Sequence, residues 1–394
     1  MRKGFLVFTL FERFSYYLFL SVIAFYLSNV LELSLDNTGD YYSGFMWIVF
    51  ISPIAFGFLA DKFGYIRFFH FGVIFSIIGY ALLPFELFDS KHLNIIIPLL
   101  ILSLGAGSLR LIVPVMIGTS SSKGKYKRGY IVFVWYLFFI SLGSVLAKAV
   151  TNDVNLSDLG EASISILVLS GFFLIIGYII WFLINRFGKR LEKDELTSDD
   201  KKGPEKIQLL INILIISLPL FLVIYGLSYY LSTQINAEPG FLPNKWTSYA
   251  DLILMFLFGI ILIRTRPLVD FQLVRLVKLG VSILGIVVMI CFIVSLIFQN
   301  GLNNFSSTII FIVFEIATTF IGPILMYLVF KLTVKKHKGL IMGLYLSVIA
   351  IAIIFNNLIA LIINESKILG FISPLIIIGG VLIYLRDKKI KNIA

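Results

Sequence analysis

The chain has 394 residues, of which 59% are hydrophobic and 14% charged, and its formal net charge is +11. A water-soluble domain carries roughly 45–50% apolar and about 25% charged residues, so a single soluble core is excluded. The apolar residues come in blocks of about twenty, the length a helix needs to cross the hydrocarbon of a bilayer.

Lipid offers no water to an unpaired backbone group, so spans must be helices or a closed barrel. A barrel would show short alternating segments. Here the apolar runs are continuous, as in Ile95–Leu104 and Val281–Phe298, which selects helices. Met1-Arg2-Lys3 leads into a run that carries Glu12 and Arg13 and lacks a small-residue cleavage site, so it is taken as the first span and not as a signal peptide. Twelve spans follow, at 5–30, 42–60, 68–86, 93–117, 129–147, 162–185, 207–232, 247–263, 279–298, 305–330, 339–363 and 368–385. The single cysteine, Cys291, lies inside one of them and reads as a small buried apolar residue.

Charge tests this count. With twelve spans, 27 of the 33 Lys and Arg residues fall on the side that holds both termini. Lys91, Lys148, Lys245 and Lys367 fall on the other, and Arg13 and Arg110 lie within spans. Basic loops mark the cytoplasm, so both termini are expected there. The net charge is then topology plus attraction to anionic head groups, with no call for a nucleic-acid partner. Residues 186–206 are the one long polar stretch. They divide the chain into a six-helix bundle at 1–185, a cytoplasmic linker and a second six-helix bundle at 207–394. No phosphate-binding glycine loop and no metal-ligand spacing is present. His70, His92 and His337 stand at span ends or in loops, where an interfacial role suffices. The reading is of a non-enzyme without metal or cofactor.

A charge at mid-membrane costs about 2.5–3.5 kcal/mol on the insertion scale, so each is a functional candidate. Glu12, Arg13, Arg110 and Glu315 lie well inside spans, and Asp251 lies near the outer end of span eight. Glu12 and Arg13, adjacent on a helix, are not expected to face one another. If spans one and four adjoin, Arg110 pairs with Glu12, which leaves Arg13 to meet an anionic solute; the alternative is a structural network that orients helices. The run Gly105-Ala106-Gly107-Ser108 before Arg110 would let another helix come close. Glu315 can hold a proton, face a substrate ammonium, or bond a neighbouring helix as a structural acid. Gly322-Pro323 below it is a candidate bending point or a packing kink. After span two, Gly57-Phe58-Leu59-Ala60-Asp61-Lys62-Phe63-Gly64-Tyr65-Ile66-Arg67 combines an acid at a helix end, a glycine turn and basic residues. That suits a latch that breaks and re-forms, with Asp61, Lys62 and Arg67 as its gating residues.

This loop resembles the signature between spans two and three of the major facilitator superfamily, matching at Gly57, Asp61, Lys62, Gly64 and Arg67 and departing at Ile66. The 6+6 layout with a cytoplasmic linker agrees with that fold. Span one resembles the proton-dependent oligopeptide transporters in Glu12-Arg13-Phe14-Ser15-Tyr16-Tyr17. Ser52-Pro53, the glycine run ending at Arg110, Gly322-Pro323 with Lys331, and Gly339-Leu340-Ile341-Met342-Gly343-Leu344-Tyr345 add to the resemblance. It implies proton-driven uptake of di- and tripeptides by alternating access. Arg13 and Arg110 would stand near the peptide carboxylate and Glu315 near its amino group. Tyr16 and Tyr17 would line the pocket, and Glu12 and Glu315 would handle the proton. The sequence departs from the family at Thr9, Phe50 and Tyr229, and Thr318 stands where the family's span-ten glutamate is expected, with Glu315 one turn earlier. A proton-independent facilitator, exchanger or exporter, and a non-transporting receptor of the same fold, are the rival readings. The Ile- and Lys-rich composition is compatible with a bacterial inner membrane.

Overall fold

The computed structural model describes residues 2–85, 89–122, 129–152, 159–187, 204–235, 243–265, 267–268, 270–297, 304–355 and 367–386. Residues 188–203 of the 186–206 linker fall outside the described residues, as do the end of the eleventh expected span and the tail after 386, while 186–187 close α6 and 204–206 open α7. The described residues form twelve α-helices and no strand. They are α1 (Arg2–Phe25), α2 (Leu35–Phe63), α3 (Tyr65–Leu82), α4 (Lys91–Ser122), α5 (Gly129–Asn152) and α6 (Leu159–Phe187). Then come α7 (Pro204–Ile235), α8 (Pro243–Arg264), α9 (Asp270–Ile297), α10 (Asn304–Leu332), α11 (Lys338–Ile354) and α12 (Lys367–Arg386). Nine of the described helices are long and apolar enough to cross a membrane.

Several helices run past the apolar stretch that predicts them. α2 begins at Leu35 instead of 42, because the Ser34 hydroxyl accepts the Asn37 N–H at 3.3 Å and starts the helix in polar sequence. α9 begins nine residues before its apolar run. Apolarity marks the part in lipid, while backbone bonding carries a helix beyond it. Proline lies inside α2, α4, α7, α10 and α12. Membrane helices tolerate it because neighbouring groups re-satisfy the freed backbone.

The chain forms two compact units. Among the described residues the first holds α1–α4, α5 from Tyr136, α6, and Lys335–Leu344 at the opening of α11. Within it α1 packs on α6 and α4, and α4 packs on α2 and α3. The second holds α5 up to Trp135, α7–α10, and α11 and α12 from Tyr345 onward. There α10 packs on α7, α8 and α9, and α12 packs on α9 and α7.

Glycines set the closest approaches in the first unit. A Cβ on Gly105 would meet the Ser76 backbone N of α3 at 2.5 Å, and one on Gly107 would strike the Ser52 hydroxyl of α2. The small residues before Arg110 thus admit two helices to α4, as the sequence suggests.

Candidate functional site

In the first unit, Glu12 and Arg13 are 5% and 6% exposed and bond each other. Arg13 donates through Nε to Glu12 Oε2 at 2.5 Å and through Nη2 to Oε1 at 2.7 Å. This corrects the expectation that neighbours on a helix cannot face one another. Cβ vectors of adjacent residues do diverge, but both side chains are long enough to fold back. A bidentate pair is the cheapest state for two charges held out of water.

Packing holds this pair in place. A Cβ on Gly143 of α5 would meet the Arg13 Cβ and the Phe14 N at 2.9 Å, so α1 and α5 touch at backbone distance there. The Ser15 hydroxyl donates to the Ser170 carbonyl of α6 at 2.6 Å. The Arg13 guanidinium carbon lies 5.2 Å from the centre of the Tyr16 ring. Tyr16 is buried, with its hydroxyl 3.6 Å from the Met46 sulfur of α2. Tyr17 is half-buried beside it.

Arg110, half-buried on α4, lies with its guanidinium carbon 4.3 Å from the centre of the Phe50 ring of α2. Its charge is close enough to act on Glu12 and Tyr16. Cation–π contact in a desolvated site contributes up to about 2 kcal/mol. Two tyrosines that the sequence does not single out join the site. Tyr136 of α5 and Tyr80 of α3 are both buried and within electrostatic reach of Glu12 and Arg13. Thr9 is also buried, and its hydroxyl donates to the Phe5 carbonyl of its own helix at 2.8 Å.

In the second unit, Glu315 is half-buried on α10. The Thr318 hydroxyl lies 3.0 Å from Glu315 Oε2 and 2.9 Å from the Glu315 carbonyl, and Thr319 donates to that carbonyl at 2.8 Å. Asp251 of α8 is near enough for its charge to act on Glu315. α10 runs unbroken through Gly322-Pro323.

Asp61 lies at the end of α2 in the first unit. Its Oδ1 accepts the Gly339 N–H at 2.8 Å and its Oδ2 the Leu340 N–H at 2.9 Å. These belong to the opening turn of α11, whose unpaired N–H groups attract an anion. A Cβ on Gly339 would meet the Gly57 carbonyl at 2.5 Å, and one on Gly343 would meet the Ile54 Cα at 3.2 Å. Lys62 and Arg67 are exposed, with Lys62 near the Phe63 ring.

Comparison with known proteins agrees with this architecture. The model of the Major Facilitator Superfamily matches residues 5–356, and the chain belongs to that family. It is therefore an integral, multi-pass membrane protein of a transporter family. Peptide transporter family 1 of Caenorhabditis elegans is 29% identical over 150 residues, which are 36% of this chain and 18% of that protein. A solved bacterial homologue of the iron transporter ferroportin, outward-facing, superposes with a TM-score of 0.73 at 15% identity over 98% of both chains. A POT family transporter in complex with 5-aminolevulinic acid superposes at 0.68 and 15% identity, over 98% of this chain and 96% of that one.

Proposed function

We propose that this transporter moves small solutes with a carboxylate and an amino group, di- and tripeptides first among them, by proton-coupled alternating access. The observation that carries this reading is the Glu12–Arg13–Arg110 set in the first unit, with Glu12 and Arg13 buried and Arg110 half-buried, near Tyr16, Tyr17, Tyr80 and Tyr136. Three charges cancel to one net positive charge, which favours an anionic group, and the phenols offer hydroxyls without adding charge. Arg110 and Arg13 serve the carboxylate, Arg13 through a pair that must loosen to do so, and Tyr16 and Tyr17 line the site. Glu315 serves the amino group or the proton, with Glu12 as the other proton carrier. The relatives lend support: one is a peptide transporter, and another was solved with 5-aminolevulinic acid.

Residues 1–185 and 207–394 act as the two halves, joined by 186–206, with both termini in the cytoplasm of a bacterial cell. Asp61 latches α2 to the start of α11 in one phase of the cycle, and Lys62 and Arg67 flank that gate.

Uptake of labelled dialanine into proteoliposomes, with and without an inward proton gradient, tests this. Gradient-stimulated uptake competed by tripeptides is expected. No saturable uptake by folded protein would sink the peptide assignment. One observation favours a second reading, that of a proton-independent facilitator: Thr9, at the family's first carboxylate position, is bonded within its own helix. Saturable uptake indifferent to the gradient would select it.

A further inference from the structure

Asp61 stands in the last turn of α2, and Tyr65 is the first residue of α3. Between them Gly64 adopts φ +99°, a backbone conformation that glycine reaches without the clash a Cβ would bring. The turn carries the Tyr65 phenol back onto Asp61, and its O–H donates to Oδ1. The same oxygen accepts the Gly339 N–H, while Oδ2 accepts that of Leu340. One carboxylate at the end of α2 thus gathers donors from the start of α3 and the start of α11.

We propose that Tyr65 is a positioning residue of the latch, its phenol fixing the Asp61 carboxylate in the orientation that receives the α11 N-terminus. The two kinds of bond differ in what they depend on. Asp61 and Tyr65 both ride on the α2–α3 turn, so their bond needs nothing from α11. The bonds to Gly339 and Leu340 exist only while α11 is docked. An aspartate left to rotate would lose that freedom each time the latch forms. One already held by a phenol has lost it beforehand, and re-forming the latch costs less. Position 65 lies outside the matched residues of the family signature in this chain.

The inference rests on the latch reading of Asp61 and is independent of the solute. Its test uses the full-length protein in lipid without solute. Cys291→Ala removes the native thiol, and Phe63→Cys with Lys336→Cys, both exposed positions, accept spin labels. Double electron–electron resonance then reads the ratio of short, latched distances to long ones. Tyr65→Phe is expected to lower that ratio by roughly three- to tenfold, the equivalent of one side chain to be ordered anew. Asp61→Asn should lower it at least as far, and adding Tyr65→Phe to Asp61→Asn should change nothing more. An unchanged ratio in Tyr65→Phe overturns the proposal. So does a Tyr65→Phe effect that persists in full beside Asp61→Asn, since the phenol would then act by packing. If Asp61→Asn itself leaves the ratio unchanged, the latch reading falls and the role of Tyr65 falls with it.

Discussion

Glu12 and Arg13, consecutive on α1, chelate each other through two hydrogen bonds of 2.5 and 2.7 Å. Neighbours on a helix rarely do this. Burial explains it, since each charge is almost wholly removed from solvent and the other is the nearest counter-charge.

Removing one partner should therefore cost more than removing both. Glu12→Ala is expected to destabilise the protein by about 3–5 kcal/mol, because a buried guanidinium loses its counter-charge. The double variant Glu12→Ala/Arg13→Met should recover a large part of that loss. Equilibrium unfolding in mixed detergent micelles measures both. A double-variant loss equal to the sum of the separate Glu12→Ala and Arg13→Met losses would mean that the pair carries no coupling energy.

Arg110 faces the Phe50 ring at 4.3 Å. Phe50→Leu keeps a branched apolar side chain, though a smaller one, and removes the π face, a loss of about 0.5–2 kcal/mol for the cation–π contact. The expected outcome is a several-fold higher KM for uptake at near-normal Vmax, whereas Arg110→Ala should reduce uptake at least tenfold. An unaltered KM in Phe50→Leu would show that the stacked guanidinium does not act on the solute.

Gly57→Ala should block the α2–α11 approach, because the added methyl meets the Gly339 and Leu340 backbone, Leu340 Cα at 2.9 Å. Backbone cannot step aside as a side chain can. Transport should fall at least tenfold while the protein still folds and inserts. Gly39→Ala, with nothing within 4 Å of the new carbon, should transport normally. Flux measured at matched surface expression separates the two.

Glu315→Gln removes the charge and preserves the shape beside Thr318. If Glu315 carries the coupled proton, gradient-driven accumulation should be lost while solute counterflow at equal pH persists. Loss of both together would place Glu315 in solute binding. Thr318→Val should weaken the same response to a lesser degree, since the carboxyl loses one hydroxyl partner at 3.0 Å.

Much of this site was legible in the chain because its signals are local. Glu12, Arg13, Arg110 and Glu315 stand out wherever lipid makes charge costly, and Asp61 and Gly64 mark their turn by spacing alone. The Glu12–Arg13 chelate was not legible. The rule that neighbours on a helix point apart describes Cβ directions, and it is silent on how far long side chains bend when water is absent. Tyr80 and Tyr136 carry no motif, and nothing local tells them from tyrosines facing lipid. The same holds for Tyr65, a variable position in the loop signature until its phenol is seen on Asp61.

The sequence by itself determined that the chain is a helical, multi-pass membrane protein, because hydropathy and loop charge are sums over neighbouring residues. It also named the charged residues, since each is anomalous against its own segment. Only the tertiary structure decided what each charge meets: Glu12 bonds its own neighbour on α1, while Asp61 bonds a helix start hundreds of residues away. Asp61 meets Gly339 across 278 positions. Such a contact depends on glycines that let two backbones touch and on a helix terminus with unpaired N–H groups, and both acquire meaning only when the helices are packed.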